Sequence, residues 1–105
     1  MSPVQEKIDE LVKQIVESVH PLRIILFGSA AKGEASSSSD LDVLVVMPEG
    51  TPRRRTAQQL YLKIHGLGMP FDILVATPSI IDRHRDNIGL MYRQVLREGK
   101  EVYAA

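Results

Sequence analysis

Cysteine and tryptophan are absent from the 105-residue chain, and its aromatic side chains are two phenylalanines and three tyrosines. Without cysteine there is no disulfide framework, no thiolate metal site and no thiol nucleophile. With so few rings, a stacking surface for single-stranded nucleic acid is not expected. Neither sign of charge is in surplus: 13 Lys and Arg stand against 13 Asp and Glu, so no bulk field draws the chain to a polyanion. Long apolar runs are also missing; none approaches the roughly 20 residues that cross a bilayer. The N-terminus has no charged-then-apolar leader pattern. The expectation is a soluble cytoplasmic protein. At 44% hydrophobic and 25% charged the composition is that of a globular protein, and the length suits one domain spanning residues 1–105.

The apolar pattern gives the elements. Ser2-Pro3-Val4-Gln5 reads as a capped helix start. Val4, Ile8, Leu11, Val12, Ile15, Val16 and Val19 recur at helical spacing up to His20-Pro21, where the proline ends the helix. Leu22 to Phe27 is a short apolar run, as expected of a strand covered on both faces, and Asp40 to Met47 is a second. Between them lie Gly28-Ser29, a turn through Ala30-Ala31-Lys32-Gly33, and a polar stretch with four consecutive serines. Thr51-Pro52 should cap a second helix whose inner stripe is Ala57, Leu60, Tyr61 and Ile64. Phe71 to Ala76 is a third strand, and Thr77-Pro78-Ser79 opens a third helix. A fourth helix is expected from about Ile88 to Glu98, stopped by Gly99, before a short strand at Glu101-Val102-Tyr103. This order predicts an α+β fold, a small mixed sheet with helices packed on one face.

The chemistry concentrates in the acids and the turn. Asp40 and Asp42 are two apart, so in a strand they project to one side. Asp72 enters another apolar strand, and a sheet that sets that strand beside the second one adds it to the cluster. Crowded carboxylates repel, and a divalent cation removes the conflict. Oxygen donors without His or Cys favour Mg²⁺, or Mn²⁺, over zinc, and shared carboxylates can hold two ions for phosphoryl or nucleotidyl transfer. Gly28 lets backbone approach a ligand, Ser29 offers a hydroxyl and an amide to an anion, and Lys32 can add charge. The bland reading, an acid pair at a solvated strand edge and an ordinary Gly-Ser turn, accounts for each piece singly but not for their order along the chain.

Gly28-Ser29, ten residues, then Asp40-x-Asp42 resembles the signature of the nucleotidyltransferase superfamily that includes DNA polymerase β. The short chain is similar to the minimal nucleotidyltransferases. That resemblance implies a polymerase β palm-like fold, ATP as substrate, two Mg²⁺ ions, and transfer of a nucleoside monophosphate, AMP, with release of pyrophosphate. It implies that Asp40, Asp42 and Asp72 ligate metal and are catalytic, and that Gly28 and Ser29 bind the triphosphate. Family members often carry Arg where this chain has Ala30 and Lys32; lysine keeps the charge but not the bidentate grip. Many minimal members resemble antitoxins that transfer AMP to a tyrosine of a HEPN-domain ribonuclease toxin, and the absence of a template-holding domain favours a protein acceptor over nucleic acid.

Two other readings stand beside this one. A non-catalytic module could neutralise a partner by contact, or the acceptor could be a small molecule or nucleic acid. Arg53-Arg54-Arg55 opens the second helix at the wrong end for its dipole, either as a solvated basic face or as a triphosphate or partner contact. His65 and the three tyrosines are read as structural.

Overall fold

The computed structural model describes residues 3–31, 33, 40–84, 95 and 97–105. The elements in chain order are α1 (Pro3–Val19), β1 (Arg23–Phe27), β2 (Leu41–Val46), α2 (Arg53–Lys63), β3 (Phe71–Ala76), α3 (Pro78–His84) and β4 (Lys100–Ala104). The Ser2 cap, Lys32, the serine stretch and nearly all of the expected fourth helix lie outside the described residues; Val95, Arg97 and Glu98 within that span are helical.

The strands form one mixed sheet in the order β3-β2-β1-β4. β1 runs antiparallel to β2 and to β4, while β2 and β3 are parallel. A parallel pair needs a crossover, and α2 supplies it. The fold is the expected α+β arrangement, and the short final strand is present and slightly longer than the sequence indicated.

Alternation along the strands sorts the core into two layers. Ile24, Leu26, Leu41, Val43, Val45, Ile73 and Val75 meet Ile8, Leu11 and Ile15 of α1, Leu60 of α2 and its C-cap Ile64 in one cluster. The two long helices thus cover one face, but α3 does not join them there, so the helices are not all on one face as expected. The intervening strand residues Ile25, Leu44, Val46 and Ala76 form a smaller cluster with Ile81 of α3 and with Val95 on the other face. A near-continuous apolar run in β2 requires cover on both sides, and α3 provides it at the end of the sheet where β3 finishes. α1 is also tied to the loop after α2: the Gln14 amide donates to the His65 carbonyl at 2.9 Å and accepts from the His65 N–H at 3.1 Å.

Several local details depart from sequence rules. Pro52, not Thr51, is the N-cap residue of α2, and it makes no side-chain cap bond; the Thr51 hydroxyl donates instead to the Pro48 carbonyl at 2.7 Å. α1 ends with His20 at φ 49°, a left-handed position more often taken by glycine. Gly99 follows the last helical residues and its N–H donates to Val95 O at 2.7 Å, but its φ is not positive. It is required for closeness: a Cβ there would strike Val95 O and stand 2.6 Å from Ile25 Cγ2.

The start of α3 is capped from a distance. Glu49, in the turn after β2, accepts the Ser79 N–H at 2.8 Å and the Ser79 hydroxyl at 2.7 Å. These bonds from Ser79 backbone and side chain hold the Glu49 carboxyl below its usual range. A depressed carboxylate pKa adds stability that is present above the unfolded value and lost as pH falls through the folded one. Glu49→Ala is therefore expected to lower Tm at neutral pH, with the gap to wild type narrowing on acidification below that range; thermal melts across a pH series measure it.

Candidate active site

The turn that carries Gly28 follows directly from β1 because Phe27 is the last residue of that strand paired with β2, where its partner is Asp42. Gly28 takes φ 74°, so the chain can leave the sheet sharply. A Cβ on Gly28 would lie 2.5 Å from Asp42 Oδ2, so glycine is needed for space as well as for conformation. Residues 28–31 and 33 lie in turns, with the Gly33 N–H donating to Ala30 O at 3.3 Å. Any anion at Ser29 would meet individual backbone and hydroxyl donors in place of a helix end.

Asp42 and Asp72 are direct register partners across the parallel β2–β3 pair. Their Cα atoms are therefore about one strand spacing apart, roughly 4.8 Å. Alternation puts both on the face that α3 covers, but at the opposite end of the strands, so the carboxylates are left open to solvent. Asp42 is half-buried, and Asp72 is exposed on the outermost strand. An acid inside an apolar strand reads as a buried charge in need of a partner, but the position of Asp72 on the sheet edge leaves it exposed. Asp40 lies one residue before β2 and is exposed.

Asp42 feels both of the other acids. Burial pushes the Asp42 carboxyl up, and the charges of Asp72 and then Asp40 push it further. Among the described residues, no three Asp, Glu or His groups close up as a ready-made metal cage. Open carboxylates of this kind fit a hard divalent ion that completes its shell with water and substrate phosphates. The donor chemistry is all oxygen, and the raised Asp42 is the group a cation would relieve.

Other sequence candidates fall elsewhere. Lys32 is outside the described residues. Arg53, Arg54 and Arg55 are exposed at the start of α2, past the end of β2. Roughly 13 Å of strand separates Asp42 from Val46, so the triplet is remote from the Gly28 turn. Tyr61, read from sequence as core, is 45% exposed. Its hydroxyl accepts the Ile73 N–H at 2.8 Å and its ring stacks on Phe71 at 5.6 Å. Nothing in the helical pattern of α2 signals that contact, because it depends on which strand lies at the sheet edge.

Two stability measurements check this geometry. Gly28→Ala forces a side chain into left-handed backbone, which costs about 1–2 kcal/mol, and against Asp42 as well; urea unfolding should register at least that loss. Asp42→Asn should raise Tm in metal-free buffer, since relief of one like-charge cross-strand pair is worth roughly 0.2–1 kcal/mol. For a carboxyl raised by the fold the ionised form is the destabilising one, so the gain is full above the folded pKa and disappears below the unfolded value.

Comparisons with known proteins agree with the fold. A family model described as a nucleotidyltransferase domain matches residues 6–100. A Methanocaldococcus jannaschii protein that carries the provisional name of protein adenylyltransferase is 29% identical over 76 residues, covering 67% of this chain and 76% of its own length. The crystal structure of a provisionally named nucleotidyltransferase from Sulfolobus solfataricus superposes with a TM-score of 0.59 at 18% identity, over 99% of this chain and 88% of that one. A toxin–antitoxin crystal structure with AMP-PNP superposes with a TM-score of 0.58 at 21% identity, over 92% of this chain and 73% of that one. At such identities the two structures speak for the fold alone. The family match spans most of the chain and includes the Gly28 turn and all three aspartates, so this protein belongs to the nucleotidyltransferase domain family and is a nucleotidyltransferase.

Proposed function

We propose that the protein transfers AMP from ATP to a hydroxyl of a partner protein, as an antitoxin that adenylylates a tyrosine of a HEPN-type toxin. The observation that carries this reading is the contact between the Gly28 turn and Asp42, with Asp72 in register beside it. A phosphate-binding bend and a carboxylate pair so close together suit a nucleoside triphosphate held with its α-phosphorus near the acids. The provisional name of the M. jannaschii relative and the toxin–antitoxin complex with AMP-PNP support the same class of acceptor and nucleotide.

In this reading the backbone of Gly28 and the amide and hydroxyl of Ser29 grip the phosphate tail, with Lys32 adding charge. Asp40, Asp42 and Asp72 hold Mg²⁺. Bound Mg²⁺ would neutralise the triphosphate and lower the pKa of the attacking hydroxyl. Asp72, on the open edge, faces the side from which an acceptor can approach and takes up the hydroxyl proton. The acceptor oxygen forms a bond to the α-phosphorus, the bond to the β-phosphate oxygen breaks, and pyrophosphate leaves.

The test is incubation with α-labelled ATP, Mg²⁺ and the co-expressed candidate toxin. Label should appear on a toxin tyrosine, and Asp72→Asn should reduce transfer by at least about 100-fold. Absence of transfer, together with full neutralisation by Asp40→Asn and Asp42→Asn, would replace this reading with a non-catalytic binding module.

A further inference from the structure

We infer that Tyr61 is a positioning residue for Asp72, acting through the peptide unit that joins Asp72 to Ile73. The inference rests on the reading of Asp72 given under Proposed function. Among the described residues β3 is an outer strand of the sheet, with β2 on one side only. The Leu41 N–H donates to Pro70 O and the Met47 N–H donates to Ala76 O, so even-numbered residues of β3 turn their backbone groups towards β2. Odd-numbered residues, Ile73 among them, turn theirs to the free edge. The Ile73 N–H has the Tyr61 hydroxyl as its acceptor at 2.8 Å.

That N–H belongs to the peptide plane that begins at the Asp72 carbonyl. The Tyr61 hydroxyl therefore fixes the orientation of the backbone leaving Asp72. The ring does the same on the other side: it stacks on Phe71, the residue before Asp72, with centroids 5.6 Å apart and planes 14° from parallel. One side chain of α2 thus grips both neighbours of a solvent-exposed carboxylate on a strand that β2 supports from one side. The helix is itself anchored by buried Thr56 and Leu60, so the grip is referred to the core.

A role in filling the core accounts for little of this. Tyr61 is 45% exposed, whereas its helix neighbour Leu60 is fully buried. Phenylalanine would serve the stack equally well, and the hydroxyl has no other function in the contact than to receive the edge amide. Removing it leaves an N–H that water can satisfy, so the fold tolerates the loss, while the peptide plane keeps its hold on β2 through the Asp72 carbonyl and loses the one at its outer edge.

The experiment compares Tyr61→Phe, Phe71→Leu and Asp72→Asn with wild type. Three readouts are hydrogen exchange of the Ile73 amide by NMR, Mn²⁺ affinity by electron paramagnetic resonance, and AMP transfer. Tyr61→Phe should keep its Tm within a few degrees, expose the Ile73 amide to exchange, and weaken Mn²⁺ binding about three- to tenfold. It should lower kcat about tenfold with little change in KM for ATP, since small misplacements of a reacting group are costly in rate and the phosphate turn is untouched. Phe71→Leu keeps the hydroxyl and should give a smaller fall in the same quantities. Wild-type Mn²⁺ affinity and kcat in Tyr61→Phe, alongside an inactive Asp72→Asn, would overturn the role of Tyr61 and leave the enzyme reading standing. An Asp72→Asn variant with full transfer and full Mn²⁺ affinity would overturn both.

Discussion

The register of two parallel strands forces Asp42 and Asp72 side by side, and the rest of the structure serves that placement. Like charges on adjacent strands repel, so electrostatics alone would slide or part the strands. They stay because the residues that follow leave no choice. A shift of one position would turn Val43, Val45, Ile73 and Val75 from the α1–α2 face to the other, exchanging them with Leu44, Val46 and Ala76. Both faces are packed, so the carboxylates are held together by hydrophobic order elsewhere in the same strands. The repulsion left over is what a bound cation would relieve.

The site draws on three separate stretches of chain, and each is held by different physics. The turn at Gly28 needs a residue without a Cβ, for conformation and for the carboxylate beside it. Asp42 depends on pairing with both β1 and β3, which fixes it from two sides. Asp72 depends on β2 alone from the sheet, and this makes the edge contact from Tyr61 consequential. The opposite end of the same face is occupied by α3, whose N-terminus is fastened by Glu49, so the small helix covers apolar residues without crowding the acids.

Much of this was legible in the sequence, and what was not has a common cause. The strands, α1 and the crossover helix follow from local period and from the rule that apolar runs seek cover; the nearness of Asp72 to Asp42 hung on the second and third strands pairing, which local pattern does not decide. Gly28 was legible as a break, though not that its missing Cβ makes room for a carboxylate oxygen. Thr51 was taken for a cap because its type suits one; the competing bond to Pro48 is visible only in three dimensions. The bonds of Glu49 and Tyr61 leave no local trace, because their partners, Ser79 and Ile73, are far along the chain or on another element. Gly99 looked like a helix stop because that is glycine's commonest duty, yet here it lets helix and sheet touch. Pattern reads what a residue does to its own segment and is silent on bonds between segments.

The crossover between β2 and β3 has a consequence for how the molecule comes to be active. The two strands pair only after α2 has been threaded between them, a contact of long sequence separation that forms late relative to hairpins and helices. The β1–β2 hairpin can assemble Gly28 and Asp42 early, but the second carboxylate arrives with the last strand to dock on that side. On the proposed reading of Asp72, a chain whose β3 is undocked would lack one of its carboxylates even with the β1–β2 hairpin in place.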